Sequence, residues 1–500
     1  MSRLALVLVL VVACGGDDGV NNLPDAPLPP GVTLTVAPAT IVIASGATVT
    51  VMATIERGGD FTGEVVVSAM SPSADLAITG GTIAAGETSV ALTVSAAANV
   101  QSAMVDVSVD GEASVAIDPA PLAVTIAGQA GPAIGGGAAG EQAGTASALS
   151  ADGSRLIVGG PLSDAGGNES GIARVFDRSG GAWVQVGGDL VGEAAGDRFG
   201  GDVAISNDGT RIAVGSYLND GNGAGSGHVR VFDLVGGAWT QVGADIDGLG
   251  SGDGHGWAVA LDADGSRVVV GAPVQNGTNG TAHVWEWSGT AWVALGAPVA
   301  GNRERGHAVD ISDDGNRIVV SAPSAEGAQY PGDVGVYEWD GVAWMPLGAL
   351  ILGAQPSATN GDSVALSADG NTLAIGSSGS DLGATNTGAA RVFRWSAGDG
   401  AWVQVGGDLP GPTGSTLGTS IAISADGTRV LAGGPSGGGF ARLFVFANDA
   451  WTESMASFGG GSRTGHAVAL SADGRTGAVG APYANTGGSA SGEVRVYDLP

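Results

Sequence analysis

The chain has 500 residues, of which 44% are hydrophobic, 14% are charged and 91 are glycine. This length predicts at least two domains, and the hydrophobic fraction is too high for a disordered chain. The net charge of −30 argues against nucleic acid as a partner, because phosphates would be repelled. It disfavours docking on an anionic membrane surface for the same reason.

The N-terminus has the pattern of a signal peptide. One Arg precedes an unbroken apolar run over residues 4–12, which is too short to span a bilayer but fits a signal-peptide core. The sequence VVAC then ends at Cys14 and resembles the lipobox of bacterial lipoproteins, in which the Cys becomes the acylated N-terminus. The resemblance implies a signal peptide over residues 1–13 and lipidation of Cys14.

Two observations support this interpretation of Cys14. It is the only Cys in the chain, so no disulfide can use it, and it stands where the apolar run stops. Residues 14–30 are rich in Gly, Asp and Pro and predict a flexible tether. Gly15 follows the Cys, which by the rule known for enteric lipoproteins favours the outer membrane or cell surface of a bacterial envelope. The alternative is an ordinary signal peptide that happens to end in Cys.

Residues 31–119 predict a small β-sandwich. Short segments alternate apolar and polar residues and are separated by Gly or Asp turn signals, at the spacing of sandwich strands. The segment resembles the Ig-like modules that bacteria place between an anchor and a working domain. It has no Cys pair and no core Trp, so only a generic sandwich with a spacer role is expected.

The remaining residues contain one unit repeated seven times. An Asp-Gly pair recurs with Asp at positions 152, 208, 264, 314, 369, 426 and 473. A Gly stands eight residues before each of these Asp, at positions 144, 200, 256, 306, 361, 418 and 465. An aromatic residue follows each pair, and a Trp then follows in the first six copies. Asp-Gly between apolar runs predicts a tight hairpin, because both turn positions favour positive φ.

Each unit therefore predicts four strands, with small Ala on the crowded inner strand and aromatics in the wider outer part. The predicted fold is all-β: a seven-bladed β-propeller over residues 120–500, preceded by the small sandwich. The seventh copy ends after its third strand. Residues 122–130 (LAVTIAGQA) predict the missing strand that closes the ring, because Gln129 aligns with Gln185.

The repeats resemble the FG-GAP repeats of integrin-type propellers. Phe199-Gly200 matches the first signature of that family, and the VGAP sequences at 270–273 and 479–482 match the second. In the family, an Asp-rich loop in the first hairpin binds Ca²⁺. Here the loop is one residue shorter, and the last ligand position holds Arg in five copies: 155, 211, 267, 317 and 429.

The hairpin Asp residues are therefore predicted to be turn residues, and neither a metal site nor a cofactor is expected, because an Arg opposes cation binding. The long acidic connections over residues 216–227 and 379–388 offer a weak Ca²⁺ or ligand site as the less favoured interpretation.

No catalytic residue is predicted. His307 and His466 share one repeat position beside the recurring Gly, which favours a structural place in a loop or at the channel mouth. His228 and His283 are interpreted as ordinary residues on or next to third strands. No HExxH or HxxxH spacing is present, and no carboxylate pair stands out for glycoside hydrolysis. The chain also lacks Lys, which removes Schiff-base chemistry.

Three functions remain open at this point. The first is a non-catalytic cell-envelope lipoprotein whose propeller serves adhesion or binds a protein or carbohydrate ligand. The second is a polysaccharide-acting enzyme with its site at the channel mouth, and the third is a purely structural envelope scaffold. Acid, His and aromatic side chains converging on one face would favour the second. The expected partners are an unknown protein or carbohydrate and the membrane through the lipid anchor, with no nucleic acid.

Overall fold

The computed structural model describes residues 32–499 except 45–47, 58–60, 72, 98–102, 114–116, 275–278, 302–303, 324–329, 357, 383–384 and 459–461. The predicted signal peptide, the tether and Cys14 lie outside the described residues. Every regular element in the described part is a β-strand, which confirms the all-β prediction. A search of these residues for a helix of sufficient length and hydropathy to cross a membrane finds none.

The first domain consists of two five-stranded sheets. One sheet has the order β5 (Leu76–Thr79), β7 (Ser89–Ala96), β3 (Thr48–Arg57), β1 (Val32–Ala37) and β9 (Ile117–Asp118). The other has the order β2 (Thr40–Ala44), β10 (Ala120–Ala127), β8 (Ala103–Glu112), β4 (Val65–Met70) and β6 (Gly81–Ile83). Burial alternates residue by residue along β1, as expected for a strand with one face on a core. The buried side chains of both sheets form one hydrophobic cluster.

Seven sheets follow in chain order within the described residues. Their first strands are β12 (Ala146–Leu149), β17 (Val203–Ile205), β22 (Ala258–Leu261), β27 (Val309–Ile311), β32 (Ser363–Leu366), β37 (Ser420–Ile423) and β41 (Val468–Leu470). Their second strands are β13 (Arg155–Gly160), β18 (Arg211–Ser216), β23 (Arg267–Ala272), β28 (Arg317–Ala322), β33 (Thr372–Ser377), β38 (Arg429–Gly434) and β42 (Thr476–Ala481). Their third strands are β14 (Ile172–Ser179), β19 (His228–Val235), β24 (Thr281–Trp287), β29 (Asp333–Trp339), β34 (Ala389–Ser396), β39 (Phe440–Ala447) and β43 (Glu493–Asp498).

Fourth strands complete the first six sheets: β15 (Ala182–Gln185), β20 (Ala238–Gln241), β25 (Trp292–Ala294), β30 (Trp344–Pro346), β35 (Ala401–Gln404) and β40 (Ala450–Phe458). Short strands also pair with the third strands of the first five sheets: β16 (Leu190–Val191), β21 (Ile246–Asp247), β26 (Val299–Ala300), β31 (Ile351–Leu352) and β36 (Leu409–Pro410). The seventh sheet contains β11 (Ile134–Gly135) beside β43. Each sheet is antiparallel, and its first three strands follow the order of the chain, as in the blade of a propeller.

A cycle of backbone hydrogen bonds joins the seven sheets. In each hairpin, the residue before the Asp donates its N–H to the carbonyl of its counterpart in the next sheet, at 2.8 to 3.2 Å. The donors in order are Ala151, Asn207, Ala263, Asp313, Ala368, Ala425 and Ala472. The last bond runs from Ala472 back to the carbonyl of Ala151, so the sheets form a closed ring around their first strands. The predicted β-propeller is therefore confirmed.

The recurring glycines lie where neighbouring sheets touch through their backbones. Gly200 has φ of +85°, and a Cβ there would stand 2.3 Å from the carbonyl oxygen of Ile172. A Cβ on Gly215, at the end of β18, would stand 2.1 Å from the carbonyl oxygen of Gly256 in the next sheet. A Cβ does not fit at either distance, which explains why the position of Gly200 is Gly in all seven copies. The position of Gly215 is Gly in six copies and Ser321 in the fourth.

The predicted closing strand needs a correction. Residues 120–127 form β10, which pairs with β8 and β2, so most of the segment 122–130 belongs to the first domain. The residues beside the seventh sheet are those that follow: Gln129 bridges Tyr497, and the Ala130 N–H donates to the Val496 carbonyl at 2.7 Å. An alternating apolar pattern identifies a strand but not its partners, and β10 finds two partners in the sandwich.

Residues 128–135 nevertheless take the place of the missing fourth strand. The Trp183 indole donates to the Ala130 carbonyl at 2.7 Å, just as Trp239 in the second sheet donates to Val186 in the first at 3.0 Å. Gln129 thus corresponds to Gln185, as the alignment predicted, and the ring is closed by a segment from the N-terminal side of the repeats.

Candidate ligand site at the channel mouth

The first strands surround a central cavity of about 450 Å³. Its wall is built mainly from small and branched apolar side chains of these strands. One opening is formed by the residues that follow the recurring Gly, here called the mouth ring: Thr145, Gly201, Trp257, His307, Asp362, Thr419 and His466. These positions differ from copy to copy, in contrast to the strands behind them.

One side of the mouth ring carries aromatic, imidazole and carboxylate groups together. Trp257, His307 and Asp362 come from three consecutive sheets, and the ring centroids of Trp257 and His307 are 5.8 Å apart. Tyr217 packs edge-on against Trp257 with a centroid distance of 5.0 Å. Trp257 is 40% exposed although it is a large hydrophobic side chain. The mouth therefore presents an accessible aromatic surface beside a carboxylate.

Two further residues on this side of the mouth differ from the residue type that most copies have at the same repeat position. The residue directly after the second strand is Pro in five copies: 161, 273, 323, 435 and 482. In the second and fifth sheets it is Tyr217 and Ser378. Tyr217 reaches Trp257 because Gly201 leaves room, since a Cβ on Gly201 would lie 2.8 Å from the Tyr217 ring. Ser378 donates both its N–H, at 3.1 Å, and its hydroxyl to Asp362.

The His residues of the mouth ring are neutral at pH 7. Burial lowers the pKa of His307, and the nearby Asp362 carboxylate only partly opposes this. The His307 Nδ1 is buried without a hydrogen-bond partner among the described residues. Burial also lowers the pKa of His466, whose Nδ1 lies 3.3 Å from the Thr145 carbonyl. Both His residues thus lie at the channel mouth, one of the two places that their repeat position suggested.

Two carboxyl groups lie deeper on the channel wall. Asp202 accepts the Val259 N–H at 2.8 Å, and Asp310 accepts the Leu366 N–H at 2.7 Å, in each case from the next sheet. Burial raises the pKa of Asp202 to about 7 and that of Asp310 to about 6, although backbone hydrogen bonds oppose the shift. They satisfy amides on the inner edge of the sheets, where no further strand follows.

The Asp side chains of the Asp-Gly hairpins accept hydrogen bonds from residues of their own hairpins. Asp152 accepts the Ser150 hydroxyl at 2.7 Å and the Ser154 N–H at 2.9 Å. Burial alone would raise the pKa of Asp152, but the hydrogen bonds from Ser154 and Ser150 outweigh it and lower the pKa. Arg155 pairs with Asp177 at 2.8 Å and donates to the Gly209 carbonyl of the next sheet at 2.7 Å.

The Asp residues of the acidic connections also accept hydrogen bonds from within their own loops. Asp220 accepts the Gly225 N–H at 2.8 Å, and Asp381 accepts the Asn386 N–H at 2.6 Å. Each Asp thereby fixes a turn within its own loop. Of the other two His residues discussed from the sequence, His228 is the first residue of β19 and His283 lies within β24, both third strands as expected.

One protein family matches a segment of the ring. The FG-GAP repeat family matches residues 192–232, which contain Phe199-Gly200. No curated protein matches the chain. Together with the ring, the match defines a β-propeller protein that contains an FG-GAP repeat.

Several solved structures are similar at low identity. A Bacteroides uniformis protein named as a 6-phosphogluconolactonase is 14% identical with a TM-score of 0.47, and the match covers 64% of this chain and 86% of that one. The β-propeller domain of the Trilobed protease from Pyrococcus furiosus is 11% identical with a TM-score of 0.39, covering 66% and 88%. The Aleuria aurantia lectin is 18% identical with a TM-score of 0.35, covering 62% and 94%.

Proposed function

We propose that this chain is a lipid-anchored cell-envelope protein whose seven-bladed propeller binds a carbohydrate at the channel mouth without turning it over. An Ig-like sandwich serves as the spacer between anchor and propeller. The observation that carries the proposal is the partly exposed Trp257, which packs between Tyr217 and His307 at the same mouth that Asp362 lines.

The chemistry of this side of the mouth matches a sugar. A sugar ring has an apolar C–H face that packs on an aromatic surface, and hydroxyl groups that pair with carboxylate and imidazole acceptors or donors. Trp257 supplies the apolar surface, and the Asp362 carboxylate, which also lines the mouth, supplies a polar partner. A concave site with a few converging polar groups is the usual form of a small-molecule site.

The arrangement favours binding over hydrolysis. Most glycosidases place two carboxyl groups about 5 to 9.5 Å apart on either side of the scissile bond. Within the mouth ring the carboxyl group is that of Asp362, whose Oδ2 already accepts hydrogen bonds from Thr359 and Ser378. Asp202 and Asp310 accept amides of neighbouring sheets instead of facing the mouth in pairs.

The binding test uses the full purified chain on a glycan array, followed by affinity measurements for any hit. Trp257→Ala should weaken binding at least tenfold, and Asp362→Asn should weaken it as well. Trp287→Phe, on a third strand at the outer part of the ring, is the control and should bind as the natural chain does. Equal binding by Trp257→Ala would place the ligand elsewhere and overturn the proposal.

The anchor has its own test. Cys14→Ser should move the protein from the membrane fraction to the soluble fraction, because one acylated Cys is the proposed attachment. Unchanged partitioning of the variant would contradict the lipoprotein assignment.

A polysaccharide-acting enzyme is the second candidate, because acid, His and aromatic groups do converge at the mouth. It predicts release of new reducing ends from a bound glycan, and loss of that release in His307→Gln. Detection of such turnover would replace the non-catalytic proposal.

A further inference from the structure

A second cluster of ligand-type side chains lies between the first and second sheets of the ring. Glu193 follows β16, His228 begins β19, and Asp245 precedes β21. Their ligand atoms all lie within 4.8 Å of one another. His228 Nδ1 stands 3.6 Å from Asp245 Oδ2 and 4.0 Å from Asp247 Oδ1. The three residues are far apart in the sequence, which is why no spacing motif reveals them.

The imidazole of His228 is almost completely buried. Its side chain is only 1% exposed, and its Nε2 is buried with no partner among the described residues. The separation of 3.6 Å from Asp245 is too long for a hydrogen bond to Nδ1.

The carboxylates around the imidazole have free oxygens. Asp245 accepts the Gln241 amide through Oδ1, at 2.6 Å, which leaves Oδ2 directed at His228. Glu193 is 48% exposed and lies 4.0 Å from Arg230 Nε, beyond hydrogen-bond distance. Arg230 is engaged elsewhere, donating to Gln241 at 3.1 Å and to the Val191 carbonyl at 3.1 Å.

The local charge also matches a divalent ion. Glu193, Asp245 and Asp247 contribute three negative charges, Arg230 contributes one positive charge, and the sum is −2. The three carboxylates repel one another, Arg230 offsets only part of this repulsion, and a bound divalent ion would relieve the rest. The partial exposure of Glu193 and Asp245 leaves the cluster accessible from solvent.

We propose that Glu193, His228 and Asp245 form a binding site for a divalent transition-metal ion, with Asp247 or water completing the coordination. A single imidazole with carboxylates favours Zn²⁺ or a similar ion over Ca²⁺, which binds oxygen ligands. This site lies outside the Asp-Gly hairpins and is independent of the proposed carbohydrate site.

The test is isothermal titration of the full purified chain with ZnCl₂ after treatment with a chelator, in about 0.3 M NaCl to screen the diffuse field of the acidic surface. One Zn²⁺ per chain is expected. His228→Gln and Asp245→Asn should each weaken binding at least tenfold. Glu193→Gln should weaken Zn²⁺ binding too. Because the Glu193 side chain is exposed, this substitution does not disturb the core, and a loss of binding reports on the ligand itself.

Asp408→Asn is the matched control. Asp408 accepts the Gln404 amide at 2.8 Å as Asp245 accepts that of Gln241, but Ala389 stands at the repeat position of His228. Its affinity for Zn²⁺ should equal that of the natural chain. Absence of binding would overturn the proposal. Several weak ions bound equally by all variants would do the same, since they would indicate adsorption to the acidic surface.

Discussion

Asp202 shows how one side chain of the inner strand supports the ring. The first strand of each sheet faces the channel, so its inward amides have no strand to pair with. The Asp202 carboxyl accepts the Val259 amide of the next sheet, and the Ser420 hydroxyl accepts the Val468 amide in the same way at 3.0 Å. Satisfying buried amides matters because each unpaired one costs about 1–3 kcal/mol.

The pKa of Asp202 makes this contact dependent on pH. Burial raises its folded-state pKa to about 7, above the unfolded value near 4. Its neutral form is therefore favoured in the folded chain, and stability is lost as pH rises from about 4 to about 7, by about 1.4 kcal/mol for each pKa unit. Asp202→Asn keeps an acceptor for Val259 and cannot ionise. Its unfolding free energy, measured in urea at pH 5 and pH 8, should fall less with pH than that of the natural chain.

Asp208→Asn is the control, because the pKa of this hairpin Asp shifts the other way. Burial would raise the pKa, but hydrogen bonds from Thr210 and Ser206 outweigh it and lower the pKa. Its contribution is therefore lost as pH falls, and the variant should be less stable than the natural chain at both pH values. An identical pH dependence for Asp202→Asn and the natural chain would contradict the role assigned to Asp202.

Some residues of the channel mouth could be predicted from the sequence. The repeat register alone places His307 and His466 at one equivalent position, and the structure puts both at the channel mouth. The contribution of Tyr217 and Ser378 was missed, although both replace a Pro that five copies share. Comparing the copies for their departures gives that signal, but which departures touch depends on the order of the sheets around the ring.

The hairpin after the first strand is the element that connects neighbouring sheets. Arg211 pairs with Asp233 on the adjacent strand and donates to the Gly265 carbonyl of the next sheet at 3.0 Å. Arg211→Ala should lower the unfolding free energy by about 1–2 kcal/mol, because it removes the intersheet bond and leaves Asp233 without its partner. Urea denaturation measures the change.

Arg475→Ala is the matched control for Arg211→Ala. Arg475 lies in the equivalent hairpin of the seventh sheet but is exposed, and its backbone N–H makes the bond to Asp473. The control should leave stability nearly unchanged. If both variants lose the same free energy, the intersheet bond of Arg211 contributes nothing specific.

Calcium independence is expected from the same hairpins. A site that binds an ion at a hundredfold excess over Kd gains about 2.7 kcal/mol of stability. Here the hairpin carboxylates accept hydrogen bonds from their own loops, and five of the seven copies place an Arg beside them. Millimolar Ca²⁺ should therefore leave the melting temperature unchanged in differential scanning fluorimetry. A rise of several degrees would show that the hairpins, the loops near Asp220 and Asp381, or the cluster of Glu193, His228 and Asp245 bind the ion.

At the scale of strands, the sequence predicts where a strand lies better than it predicts which strands pair with it. Seven similar units predict the ring because each copy carries the same Asp-Gly turn and the same Gly eight residues before it. The assignment of 122–130 was wrong for its larger part, since the alternation that marks β10 as a strand suits a sandwich and a propeller edge equally. The cluster of Glu193, His228 and Asp245 could not be predicted from the sequence, because it depends on how the first and second sheets pack against each other.

At the scale of the whole molecule, the seventh sheet differs from the others because no hairpin joins its last strand, β43, to the segment that completes it. Six sheets have a fourth strand joined to the third by a hairpin or short loop, whereas the seventh borrows residues 128–135. The borrowed segment is held by the Ala130 amide on Val496, by the Trp183 indole on the Ala130 carbonyl, and by Ile134 in the core. Loss of these contacts would expose the edge of β43.

Ala130→Pro tests this closure, because it removes the amide that binds Val496. The closing segment has no hairpin to hold it against β43, so the variant should lose ring closure, melt several degrees lower and aggregate through the exposed edge. Val186→Pro is the matched control at the corresponding position of the first sheet, where the amide donates to Val175 at 2.8 Å but β15 remains tethered to β14 by its hairpin. Scanning fluorimetry with light scattering compares the two. Equal melting and equal scattering would mean that the closing segment is no weaker than any other fourth strand, and that the ring is held mainly by the hydrogen-bond cycle of its hairpins.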